Sequence, residues 1–153
     1  MVMSMEIDEI MDEVRSILSE GKQREVQFTW RSFISGYPSE IEVRNNLGDK
    51  LSLDANNYDI NMWDKIYNKI EDMIHSEVIP NIVEYLSEKA KKRFGKEPHV
   101  DIDSDYWTYL EIDDKRYLVK KPEPIHYTEF SSPTYSYRRY IFNFADRYEL
   151  EEM

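Results

Sequence analysis

The sequence predicts an α+β fold. A largely antiparallel sheet, made of an N-terminal three-stranded meander and a group of C-terminal strands, carries an N-terminal helix and a Pro-interrupted central helix pair. Three observations support this. Apolar residues recur at spacings of three and four near the N-terminus and again mid-chain. Between and after those stretches, apolar and polar residues alternate with a period of two. The four glycines, Gly21, Gly36, Gly48 and Gly95, each stand where a periodic segment stops. The 153 residues are expected to form a single α+β domain over 1–153, since a chain of that length can bury roughly two thirds of its unfolded surface.

Ser4 is placed to cap a first helix over residues 5–20, with Glu6, Asp8 and Glu9 at the positive end of its dipole. Met3, Ile7, Ile10, Met11, Val14, Ile17 and Leu18 form its apolar stripe, and Gly21 ends it. Val26, Phe28, Trp30 and Ser32 then alternate with Gln27, Thr29, Arg31 and Phe33, the period of a strand over 25–34. Gly36, Tyr37 and Pro38 turn the chain. Ile41 and Val43 begin a second strand, and a turn at 45–49 leads to a third through Leu51 and Leu53.

Asp59 or Asn61 caps the central helix, with Trp63, Ile66, Tyr67, Ile70, Met73 and Ile74 on one stripe. Pro80 predicts a break or kink near 76–79, because proline lacks the N–H that the preceding turn requires. Ile82, Val83, Leu86 and Ala90 face inward from the next stretch, whose last turns carry Lys89, Lys91, Lys92 and Arg93, and Gly95 closes it. Strands follow over 100–103, 106–112, 116–121, 125–130 and 135–145. The last also fits a helical stripe through Tyr137, Tyr140, Ile141, Phe144 and Tyr148, but its aromatic richness favours strand.

The absence of cysteine removes disulfides, thiolate metal sites and cysteine nucleophiles. The scattered glycines leave no backbone for a phosphate-cradling loop or a nucleophile elbow. Thirty-one acidic against twenty basic residues give a formal charge of −11, which opposes nucleic acid and anionic lipid as partners. No apolar run reaches the ~20 residues of a membrane span, and the acidic N-terminus lacks the basic region of a signal peptide. The expected location is the cytoplasm, that of the host cell if the protein is viral, and no cofactor is expected.

The densest acidic stretch holds Asp101, Asp103, Asp105 and Glu111, candidate oxygen ligands for a hard cation. As a calcium loop it fails, with Tyr106 where glycine is needed and Ile112 where a bidentate glutamate is needed. Asp101, Asp113 and Lys115 resemble the aspartate and Asp/Glu-x-Lys arrangement of a metal-dependent nuclease family, which implies a cation held by carboxylates beside a lysine. Here Asp113 to Lys115 read first as a hairpin turn. His126 and Thr128 resemble half of the paired motif of two-histidine phosphoesterases. His99 is followed by Val100 and Asp101, so the second half, and with it the acid–base pairing, is missing.

Twelve of the 21 aromatic residues fall within 106–148. Tyr106, Trp107, Tyr109, Tyr135 and Tyr137 are the candidate contact residues, because rigid amphipathic rings give contact area at low entropic cost. Residues 115–147 carry seven basic against three acidic side chains, a mixture that can stack bases, yet the overall charge favours protein as partner. Glu6, Glu9 and Glu13 on the first helix complete the candidate surface. The expected function is that of a non-enzymatic acidic protein that binds a basic protein, in the manner of an inhibitor, immunity-type protein or viral antagonist of a nucleic-acid-processing enzyme. A metal-dependent phosphodiesterase or nuclease using the 101–115 cluster is the alternative. The second alternative is a self-assembling subunit that pairs through its N-terminal helix.

Overall fold

The computed structural model describes residues 6–19, 24–33 and 38–153. The predicted Ser4 cap, the Gly21 stop and the turn at Gly36 and Tyr37 lie outside them. α1 (Ile7–Ser19) buries Ile10, Met11, Val14 and Ile17. β1 (Glu25–Ser32), β2 (Glu40–Asn45) and β3 (Lys50–Asp54) form the expected antiparallel meander, with Phe28 opposite Val43 and Val43 opposite Leu51.

α2 (Ile60–Met73) starts at Asp59, whose carboxylate accepts the Met62 N–H at 2.8 Å. The chain does not break before Pro80. A π turn over Ile74–Val78 joins α2 to α3 (Ile79–Phe94), and the Ile79 N–H reaches back to the Ile74 carbonyl. The wider turn makes room for a ring that would crowd an α-helical turn and asks no hydrogen bond of Pro80. Gly95 ends α3 in the left-handed region at φ 74° and donates to the Lys91 carbonyl at 2.8 Å.

The strands divide between two antiparallel sheets, where the sequence suggested a single largely antiparallel one. β4 (His99–Ile102), β5 (Thr108–Ile112), β6 (Lys115–Lys121) and β9 (Glu149–Glu152) make a four-stranded sheet in the order β4-β5-β6-β9. β7 (Ile125–Ser131) and β8 (Ser136–Asn143) join the meander instead, giving the order β3-β2-β1-β8-β7. β8 settles the ambiguous C-terminal segment as a strand, paired along its length with β1 and β7. β9 is an additional short strand, which the alternation around Tyr148 and Leu150 did not separate from its predecessor.

Buried side chains from both sheets and all three helices form one cluster. Val26, Phe28 and Trp30 of β1 line up with Phe142, Tyr140 and Arg138 of β8, and these in turn with Ile125, Tyr127 and Glu129 of β7. One sheet face therefore grades from fully apolar at the Val26 end to polar and aromatic at the Trp30 end. The opposite face carries Gln27, Thr29, Arg31, Tyr137, Arg139 and Phe130.

Candidate functional site

Both faces at the Trp30 end carry unusual groups, and the strand register explains each set. On the helix side, Arg138 shares the inward parity of Tyr140 and Phe142 and so enters the protein beside α2. Its Nε donates to the Tyr127 hydroxyl at 2.9 Å and its Nη1 to the Tyr67 hydroxyl at 2.8 Å. Its Nη2 lies 2.6 Å from Glu71 Oε1, and the guanidinium stands 5.2 Å over the Trp30 ring. Tyr67 and Glu71, four residues apart on α2, present both partners from one helix face.

The phenols around Arg138 form a second network. Tyr127 donates to Glu129, and the hydroxyls of Tyr106 and Tyr140 lie 3.0 Å apart. Tyr106 stacks on Tyr127, and Tyr140 meets Tyr127 edge-on at 4.6 Å. Burial and the hydrogen bond to Glu129 push the Tyr127 phenol up to about 12, while burial and the Tyr106 hydroxyl raise Tyr140. Burial works against the charge of Arg138, but the hydrogen bonds to Tyr127 and Glu71 outweigh it and raise its pKa. At neutral pH Tyr127 and Tyr140 are thus protonated phenols beside a cation.

Two openings flank this cluster and share Arg138 and Glu129. One, of about 270 Å³, lies beside Trp30 and Tyr67, and the other, of about 490 Å³, lies beside Asp105 and Tyr106. With Glu71 and Glu129 both close by, the guanidinium charge is already matched, and an incoming anion would meet two carboxylates. The network fastens α2 to the sheet and fixes the β7–β8 hairpin.

The outer face at this end is different. Phe130 pairs with Tyr137 across the hairpin at a ring separation of 5.8 Å, Tyr135 lies 6.1 Å from Tyr137, and Phe33 lies 5.5 Å from Tyr135. Arg139 stands 5.3 Å over Tyr137 and donates to the Thr29 hydroxyl at 3.1 Å. Thr29 on this face is buried, but at its Phe33 end Phe33 and Phe130 remain 51% and 47% exposed. An exposed contiguous aromatic patch is what protein contact surfaces use, since its rings bury well against a partner at small entropic cost.

The sequence-derived candidates scatter across the molecule. Tyr135 and Tyr137 belong to the aromatic patch. Trp107 is 41% exposed but stands apart, beside Lys120, Lys121 and His126. Tyr106 turns inward at φ 68° into the phenol cluster, and the Arg116 guanidinium stands 4.2 Å over the Tyr109 ring; both residues are half-buried and lie outside the aromatic patch. Glu9 and Glu13 on α1 and Glu6 just before it are exposed; α1 packs against α2, β2 and β3 on the helix side of the five-stranded sheet, away from the patch. Phe33 and Phe130 were not among the candidates, although the alternation placed Phe33 on the solvent parity.

Asp101, Asp103, Glu111 and Asp113 of the acidic stretch have internal partners. Arg116 pairs with Asp101 at 3.2 Å and Glu111 at 2.8 Å. Asp103 accepts the N–H groups of Asp105 and Trp107, Asp113 pairs with Lys96 at 3.0 Å, and Lys115 lies 3.8 Å from Glu152. Among the described residues no group of three or more histidines and carboxylates is arranged to hold a metal ion. His126 pairs with Glu123 at 2.8 Å on β7, while His99 sits on β4 of the other sheet. No described helix is long and apolar enough to cross a membrane. No protein-family model, curated protein or solved structure matches the chain.

Proposed function

We propose that the protein is a non-enzymatic interaction protein that binds a basic protein partner, with Phe33, Phe130, Tyr135 and Tyr137 as its anchoring surface. The observation that carries this reading is the exposed aromatic patch, in which two half-exposed phenylalanines stand beside Tyr135 and Tyr137. The partner's charge follows from the −11 of the chain, of which the exposed Glu6, Asp8, Glu9 and Glu13 have no cationic partner among the described residues. Complementary charge speeds encounter, and buried rings slow dissociation. An inhibitor, immunity-type protein or viral antagonist of a nucleic-acid-processing enzyme is the form this reading takes, because such enzymes present basic surfaces.

Self-assembly through α1 is less well supported. Its apolar residues are buried within its own molecule, and two copies meeting through α1 would set carboxylate against carboxylate. The test is affinity capture from the native source with the wild-type protein and a Phe33→Ser/Phe130→Ser variant of unchanged melting temperature. A captured protein of high isoelectric point that the variant fails to retain is expected. Capture of the same proteins by both would reject the aromatic surface, and an acidic partner would reject the charge argument.

A further inference from the structure

A separate cavity of about 290 Å³ opens between the C-terminal half of α3 and the segment joining β8 to β9. Its floor is apolar: Leu86, Ala90, Leu110 and Tyr148 are buried, and Phe94 and Leu150 are half-buried beside them. Its rim is cationic, with Lys89, Lys92 and Arg93 from α3 and Arg147 from the opposite side. The one carboxylate at the rim, Asp146, is paired with Arg24 and so is not available to neutralise them.

Lysine and arginine at a helix C-terminus have an ordinary explanation in the helix dipole. That explanation covers Lys92 and Arg93 but not Arg147, which comes from a different element. Arg93 donates to the Tyr148 carbonyl at 3.3 Å, and the Lys89 ammonium stands 5.4 Å from the centre of the Tyr85 ring. Lys92 and Arg147 are exposed and have no anionic partner among the described residues. In a chain of net charge −11, two elements thus converge to set unmatched positive charge around an apolar hollow.

We propose that this cavity is a binding site for a small amphipathic anion, an apolar chain or ring system ending in a carboxylate. The apolar body would lie on Leu86, Ala90 and Leu110, and the head group would sit between Lys92 and Arg147. The volume is near the lower end of the ~300–1,000 Å³ usual for small-molecule sites, which fits a medium-length chain and not a full lipid. The site adjoins the four-stranded sheet and is independent of the aromatic surface on the other sheet.

The test is titration of the protein with decanoate below its micellar concentration, followed by amide chemical shifts, beside decanol and decyltrimethylammonium as neutral and cationic controls. Decanoate is expected to shift amides of residues 86–94 and 146–150 and to bind at least about tenfold tighter than decanol, with no binding of the cation. Lys92→Glu/Arg147→Glu, both at exposed positions, should weaken decanoate by about tenfold or more while leaving decanol and the melting temperature unchanged. Equal affinity for decanoate and decanol, an unaffected double variant, shifts mapping elsewhere, or no binding would overturn the assignment.

Discussion

Asn45 shows how one polar side chain can hold two elements. It is buried, donates to the Ile17 carbonyl at the end of α1 at 3.0 Å, and accepts the N–H groups of Leu47 and Asp49 in the β2–β3 turn. Asn45→Ala is expected to cost about 2 kcal/mol in urea denaturation, because it leaves the buried Ile17 carbonyl without its donor and two turn N–H groups without their acceptor. Tyr127 gives a pH dependence of definite sign. Its phenol sits near 12 in the folded protein, against about 10 for an unperturbed tyrosine. The native state therefore keeps a proton that the unfolded chain loses. The stabilisation is complete below pH 10 and lost as pH rises toward 12. Tyr127→Phe should flatten, but not abolish, the fall of stability across that window, since Tyr140 and Tyr148 are raised in the same direction. The inward position of Arg138 was legible, since it shares the parity of Tyr140 and Phe142. The inward turn of Tyr106 was not, because no sequence rule assigns a positive φ to a tyrosine in that position.

The helices and the meander follow from periodicity and caps alone. Asp59→Ala should cost about 1 kcal/mol by removing the Met62 N–H acceptor. Gly95→Ala should cost about 1 kcal/mol for a different reason, a Cβ in the left-handed region, since no neighbour lies within 4 Å to clash with it. Both are read by thermal or urea unfolding. The sequence is less informative about partners than about elements. Alternation tells which face of a strand is buried but not which strand lies beside it, so β7 and β8 could not be assigned to the meander in advance. A signal was present in Pro122 and Pro124, two residues without N–H groups between β6 and β7, which interrupt pairing and let the chain change sheets. Proline similarly marks the site of the π turn, but its chemistry alone does not distinguish a wider turn from a break.

At the scale of the whole molecule, acidic charge and aromatic contact area lie on different faces, α1 on the helix side and the patch on the opposite side of the five-stranded sheet. The two should therefore act on different steps of binding. Glu6→Gln/Glu9→Gln/Glu13→Gln should slow association several-fold at low ionic strength and leave it unchanged at high salt, where the field is screened. Phe33→Ser/Phe130→Ser should act on dissociation. The most direct measurement is the pair of rate constants for the captured partner on immobilised wild-type and variant proteins. The aromatic variant is predicted to raise the dissociation rate by about a hundredfold with an association rate within about threefold of wild type. A dissociation rate unaltered by loss of both phenylalanines would contradict the account.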